Sequence, residues 1–234
     1  MQDKNFFTKE DRQILFLHGY LASGKCFYNQ ISYFSRDFEV FAPDLKGFGD
    51  NQDMPYPYCL DDYVDEVAEY CYKFGLKKPH VVAHSFGGRI TIKGLATNKL
   101  NFNKVVLTGC AGLKPKNTLK KSTKKLCFNI VKRFIKKERL KKFYSSDYLA
   151  LNEVMKKSFV KIINENLDEY LCKIQNQTLI INGEKDRETP LYMAKKLNKN
   201  IAYSTLKVFE QCAHFCFLDK PNKFNMEVKE FILS

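Results

Sequence analysis

The stretch His80-Val-Val-Ala-His-Ser-Phe-Gly-Gly88 decides the fold. A short apolar run leads straight into a serine flanked by small residues, and a helical pattern follows at once. A serine at such a strand-to-helix turn sits on strained backbone with its hydroxyl clear of the sheet. The chain doubles back there, so a side chain two residues before or two residues after the serine would collide with it. Ala83 and Gly87 are small enough for those two places.

Working outward from Ser85, apolar runs alternate with helical patterns. Gln13–Leu17, Phe38–Ala42, His80–Ala83, Lys104–Thr108, Thr178–Ile181 and Leu206–Phe209 read as strands. Most are continuously apolar, as expected of strands covered on both faces. Helical patterns fall near Tyr28–Ser35, Leu60–Phe74, Gly87–Asn98, Leu191–Asn198 and Phe224–Leu233. This alternation predicts an α/β fold, a mostly parallel sheet with helices on both faces, and places reactive groups at the carboxyl ends of the strands. The alternation breaks over residues 113–171, which read as a basic helical lid inserted into a core made of 1–112 and 172–234. Inside it, Leu126, Cys127, Ile130, Val131, Phe134 and Ile135 mark one apolar helical face.

A chain of 234 residues, 44% of them hydrophobic, can bury one full core. No apolar run is long enough to cross a bilayer, and Met1–Asp11 lacks the apolar stretch of a secretion signal. The eight cysteines (Cys26, Cys59, Cys71, Cys110, Cys127, Cys172, Cys212 and Cys216) form no C-x-x-C pair. Free thiols in a reducing cytoplasm are therefore expected. Cys212 and Cys216 bracket His214 without a fourth ligand nearby, so no metal is called for. The formal charge is +13, and thirteen basic residues against Glu138 alone place +12 of it between Lys114 and Lys142. That cluster reads as a solvated face, as a field attracting an anionic substrate, or as a lysine-flanked helix resting on anionic lipid. No base-reading motif accompanies it, so no specific nucleic acid is expected.

A serine hydroxyl is a weak nucleophile until a base takes its proton, and the base needs a carboxylate behind it. Among His18, His80, His84 and His214, only His214 follows the last strand at the edge where Ser85 sits. Asn182-Gly-Glu-Lys-Asp-Arg187 ends the preceding strand and supplies Asp186, with Glu184 as the poorer candidate. Acyl transfer also needs two donors for the oxyanion. The Phe86 amide follows the nucleophile, and the Tyr20 amide follows His18-Gly19 after the first strand. His18 reads as a structural, hydrogen-bonded residue, His84 as packing or pocket lining, and His80 as a strand residue. Phe27, Phe86 and Phe215 adjoin these positions and are expected in an apolar pocket wall.

With those residues in hand, the chain resembles the α/β-hydrolase-fold family, in its lid-bearing branch of esterases, lipases and carbon–carbon bond hydrolases. His18-Gly19, Asp44-Leu-Lys-Gly-Phe-Gly49, Ala83-His-Ser-Phe-Gly87, Gly183-Glu-Lys-Asp186 and His214-Phe-Cys-Phe-Leu-Asp-Lys-Pro221 stand in the family's order. The resemblance implies the triad order Ser, Asp, His, no cofactor, and a structural rather than catalytic Asp44. It implies a serine hydrolase acting on a small-molecule ester or acyl substrate. A carbon–carbon hydrolase and a ligand receptor with little turnover are the alternatives. Ala83 stands where the family has glycine, and the short N-terminal region implies that its leading antiparallel strands are abbreviated or missing.

Overall fold

The computed structural model describes residues 12–114 and 151–234. In chain order the elements are β1 Gln13–Leu17, α1 Tyr28–Phe34, β2 Glu39–Phe41, α2 Leu60–Lys73, β3 His80–His84, α3 Phe86–Ala96 and β4 Val105–Thr108. After the undescribed stretch come α4 Glu153–Asn164, β5 Thr178–Gly183, α5 Leu191–Asn200, β6 Ser204–Phe209, the single turn α6 Cys216–Asp219 and α7 Pro221–Leu233. The six strands form one sheet in the order β2-β1-β3-β4-β5-β6. Every pairing among them is parallel.

Each face of the sheet has its own core because successive strand residues point to opposite sides. Leu15, Leu17, Val81, Ala83 and Leu107 pack beneath α2, α3 and α5 with Tyr63, Val64, Ile90 and Leu197. Ile14, Phe16, Val82, Val106 and Ile181 pack against α1, α6 and α7 with Phe34, Phe217, Phe224 and Val228. The α2 start is fixed by a reciprocal cap, in which Asp62 accepts the Cys59 amide at 2.6 Å. Pro221, at the first position of α7, sets its own φ for a helix and forfeits a donor that would have had no acceptor there.

The chain leaves β1 for β2 on one side and returns for β3 on the other. The carboxyl ends of β1 and β3 therefore flank the point where strand order reverses, which is where ligands bind in open α/β sheets. The loop with Gly19 and Tyr20 follows β1, and Ser85 follows β3. Of residues 113–171, α4 and the Asp168–Lys173 turn are among those described. The helical face from Leu126 to Ile135 and all of the basic run except Lys114 lie outside the described residues, as do Met1–Asp11.

Candidate active site

Ser85 has φ +49 and ψ −101, between the last residue of β3 and the first of α3. A non-glycine residue there carries about 1–3 kcal/mol of backbone strain, so its surroundings must hold it. They do so with three backbone bonds. Ser85 N–H donates to the Thr108 carbonyl at 3.1 Å, and the Ser85 carbonyl accepts from Ala111 at 3.2 Å. The Gly87 amide donates to the His18 carbonyl at 3.1 Å, tying the elbow to the end of β1. Gly87 must lack a side chain, since a Cβ there would stand 2.3 Å from the Leu17 carbonyl oxygen. Ala83 is fully buried between Leu17 and Leu107 of the neighbouring strands, so its methyl is accommodated.

Across the sheet's carboxyl edge, His214 meets Asp186: Nδ1 lies 2.9 Å from Oδ2. Asp186 is held in turn. Its Oδ1 accepts the amides of Glu188 and Thr189, both at 2.9 Å, and its Oδ2 accepts the Thr189 hydroxyl at 2.7 Å. Burial alone would push this carboxyl up, but the hydrogen bonds from His214 and Thr189 outweigh it and hold it below the ordinary aspartate range. Asp186 rather than Glu184 is thus the carboxylate beside the imidazole. Glu184 braces the next loop by accepting the Gln211 amide at 3.1 Å.

The other histidines have separate places. His18 accepts the Leu45 amide on Nε2 at 3.0 Å and, with Nδ1 then protonated, donates to the Gly19 carbonyl at 2.7 Å. Burial lowers its pKa. His84 donates from Nε2 to the His214 carbonyl at 3.2 Å, and its ring lies 4.6 Å from the His214 ring. Burial, then the nearby His214, lowers the His84 pKa to about 3, so it stays neutral beside its neighbour. His80 opens β3 and is buried. Asp44 accepts the Gly24 and Asp50 amides, both at 2.7 Å, and so closes a turn away from Ser85.

Ser85, His214, His84 and Thr189 line one cavity of about 860 Å³. Its floor includes Gly19, Tyr20, His84, Ser85, Phe86 and His214, and its roof includes Leu151 and, from α4, Phe159, Ile162 and Ile163. Phe86 is the first residue of α3, where an amide has no acceptor within its own helix. The Tyr20 ring packs against Phe86 and Phe159, and its hydroxyl donates to the Met155 carbonyl at 3.1 Å. Phe86 and Phe215 line the cavity as expected, but Phe27 does not. Its ring is buried on the opposite face of the sheet, 5.0 Å from Phe16 and 4.7 Å from Phe217, because the turn after β1 carries it behind the sheet.

Three residues of the site are not visible as such in the sequence. Thr189 clamps Asp186, and the spacing Asp-x-x-Thr of a side-chain-closed turn was the one signal for it. Arg89 lines the cavity while donating to the carbonyls of Ile162 at 2.7 Å and Glu165 at 3.3 Å. Glu188 lines it as well, with Oε2 3.3 Å from His214 Nε2.

Comparison with known proteins agrees with this architecture. Residues 13–121 match the family model described as alpha/beta hydrolase fold. An AB hydrolase superfamily protein of Bacillus subtilis is 26% identical, with 94% of this chain and 91% of that protein aligned. A 2-hydroxy-6-oxo-2,4-heptadienoate hydrolase of Pseudomonas putida is 23% identical over 85% of this chain and 79% of that protein. The solved structure of an esterase from Exiguobacterium antarcticum superposes with a TM-score of 0.74 at 24% identity, covering 95% of this chain and 92% of its own. With its parallel sheet, its elbow after β3 and these likenesses, the chain has the α/β-hydrolase fold.

Proposed function

We propose that the protein is a serine hydrolase that cleaves a carboxylic ester of a small or lipid-like substrate through an acyl-enzyme on Ser85. The observation that carries this is the 2.9 Å contact of His214 Nδ1 with Asp186 Oδ2 in the cavity that also exposes the strained Ser85. With Nδ1–H donated to Asp186, the lone pair of Nε2 accepts the Ser85 proton as Oγ attacks the carbonyl carbon. The tetrahedral oxyanion takes hydrogen bonds from the Tyr20 and Phe86 amides. It collapses by breaking the bond to the leaving oxygen, which receives the proton from Nε2. Water then repeats the sequence against the acyl carbon, releasing the acid and restoring Ser85–OH. No step requires a metal or an organic cofactor.

The apolar roof supplied by Leu151, Phe159, Ile162 and Ile163 suits an acyl chain and excludes water from the reacting bond. On this reading the 113–171 insertion is the lid, and the Lys114–Lys142 run is its contact with anionic lipid. Activity is then expected to rise with anionic vesicles and to fall with salt. A cytoplasmic setting belongs to the same proposal. The relative named 2-hydroxy-6-oxo-2,4-heptadienoate hydrolase favours the second reading, hydrolysis of a carbon–carbon bond by the same three groups.

Hydrolysis of p-nitrophenyl esters of two to sixteen carbons, run beside Ser85→Ala, tests the proposal. Turnover that disappears in Ser85→Ala is the expected result, and its chain-length optimum reports the acyl pocket. Folded protein with no turnover above Ser85→Ala would move the weight to the carbon–carbon reading or to a ligand receptor.

A further inference from the structure

The cavity holds one carboxylate whose position the scheme above leaves unused. Glu188 Oε2 lies 3.3 Å from Nε2 of His214, the nitrogen that exchanges a proton with Ser85 and then with the leaving group. Whatever stands beside Nε2 stands where the leaving group must be when it collects that proton. We infer that Glu188 is a specificity residue for the leaving group, selecting alcohols or thiols that carry a positive charge and disfavouring those that carry a negative one. This rests on the reading of Ser85 as nucleophile and deepens it.

The charge inventory of the cavity supports the assignment. Among the described lining residues, histidines aside, Arg89 and Glu188 alone carry formal charge. Arg89 is buried, with its guanidinium turned onto the carbonyls of Ile162 and Glu165. Glu188 has a side chain 67% exposed, so its carboxylate is solvated and can turn from Nε2 to an incoming group. Its main chain is fixed by the carboxylate that orients the imidazole, since the Glu188 amide donates to Asp186 Oδ1 at 2.9 Å. The backbone of Glu188 is thus as well placed as His214 itself, while its head group remains free to meet a ligand. The adjoining Arg187 is exposed and does not line the cavity. The surrounding wall of Leu21, Phe159, Ile163, Met193 and Phe215 is apolar. A charged leaving group would therefore find one opposite charge there, close to the reacting atoms.

Three thioesters of butyric acid with a common acyl half test this. Their leaving groups are thiocholine, its uncharged 3,3-dimethylbutyl isostere, and 3-mercaptopropionate, with thiol release followed in wild type, Glu188→Gln and Ser85→Ala. Wild type is expected to favour thiocholine over the isostere in kcat/KM by about three- to fivefold at low ionic strength, the range of a partly exposed ion pair. The mercaptopropionate ester is expected to fall below the isostere by a similar factor. Glu188→Gln is expected to level all three, and 0.5 M salt to shrink the wild-type spread, an arm that does not depend on the variant folding. Equal rates in wild type, a spread that Glu188→Gln leaves intact, or a preference for the anion would overturn the inference alone. The last outcome would give control of selectivity to the Lys114–Lys142 run. Absence of Ser85-dependent turnover on all three would overturn the ester reading and take this inference with it.

Discussion

Asp186 accepts four hydrogen bonds, from the Glu188 and Thr189 amides, the Thr189 hydroxyl and His214. That number makes the imidazole's tautomer a property of the fold. On the proposed mechanism, replacing Asp186 with Asn keeps the volume but removes the charge that would stabilise the imidazolium. It is expected to lower kcat on an ester by about 10³- to 10⁴-fold with little change in KM. Thr189→Val removes one neutral donor from a buried carboxylate and is expected to cost about five- to tenfold in kcat/KM. Steady-state kinetics on both variants, with circular dichroism as the folding control, checks the pair. A Thr189→Val enzyme with wild-type kinetics would show that the amides alone suffice to orient Asp186. At this scale the sequence was most legible where a residue's role follows from its neighbours in the chain. Ser85, Gly87 and Asp186 each sit in a turn whose geometry is local. Phe27 was misassigned because its distance from Gly19 in sequence says nothing about which face of the sheet the chain turns behind.

Among the elements, α4 shows most clearly how one part of the molecule depends on another distant in sequence. Its first turn is capped by its own Asn152, which accepts the Met155 amide at 2.8 Å. Its seat on the core comes from elsewhere. Ser158 donates to the Tyr58 carbonyl at 2.7 Å, Lys161 to the Pro57 carbonyl at 2.7 Å, and Tyr20 to the Met155 carbonyl. At the carboxyl end, Arg89 takes the carbonyls of Ile162 and Glu165, where a helix leaves its acceptors unpaired. One turn along α3, Lys93 bridges Glu165 and Asp61 of α2. The helix that follows Ser85 thus also grips the roof of the cavity. Arg89→Met is expected to cost about 1.5–3 kcal/mol in urea unfolding, the range for charged hydrogen bonds. Its amides on α4 should exchange with solvent well before those of β1, β3 and β4. Uniform loss of protection across helix and sheet would mean that Arg89 supports the whole core rather than the roof. Nothing near Arg89 in the sequence announces this, because its partners lie 73 and 76 residues further on. Element positions were legible and their ends less so. β6 begins at Ser204, two residues ahead of the apolar run from Leu206, because an edge strand keeps its ladder while exposing alternate side chains.

For the whole molecule, buried titratable groups set opposing slopes of stability with pH. His84 and His18 are held neutral by burial, with folded pKa values below the ordinary 6.5. Below 6.5 the unfolded chain takes up protons that the native state refuses, so stability falls as pH drops. For His84 the fall continues to about 3. Asp186, held below the ordinary 3.8, adds to the loss at the acid end, since its stabilisation is present above 3.8 and disappears as pH falls through its folded value. Glu66 works the other way. Burial raises its carboxyl to about 7, against an ordinary 4.5. Its contribution is complete below 4.5 and is lost as pH rises to about 7, because the folded protein must then bury a charge. The two histidines and Glu66 therefore partly cancel between 4.5 and 6.5, flattening the profile there. Glu66→Gln removes one side of the balance and should make stability climb more steeply with pH across that window. His84→Gln keeps an N–H for the His214 carbonyl without a titrating ring, and should flatten the profile between about 3 and 6.5. Urea unfolding at half-unit steps from pH 4 to 8 separates the two, because the variants move the slope in opposite directions over the same range. Parallel curves for wild type and both variants would mean that Glu66 and His84 reach water in the native state, and that the acid limb belongs to His18 and the carboxylates.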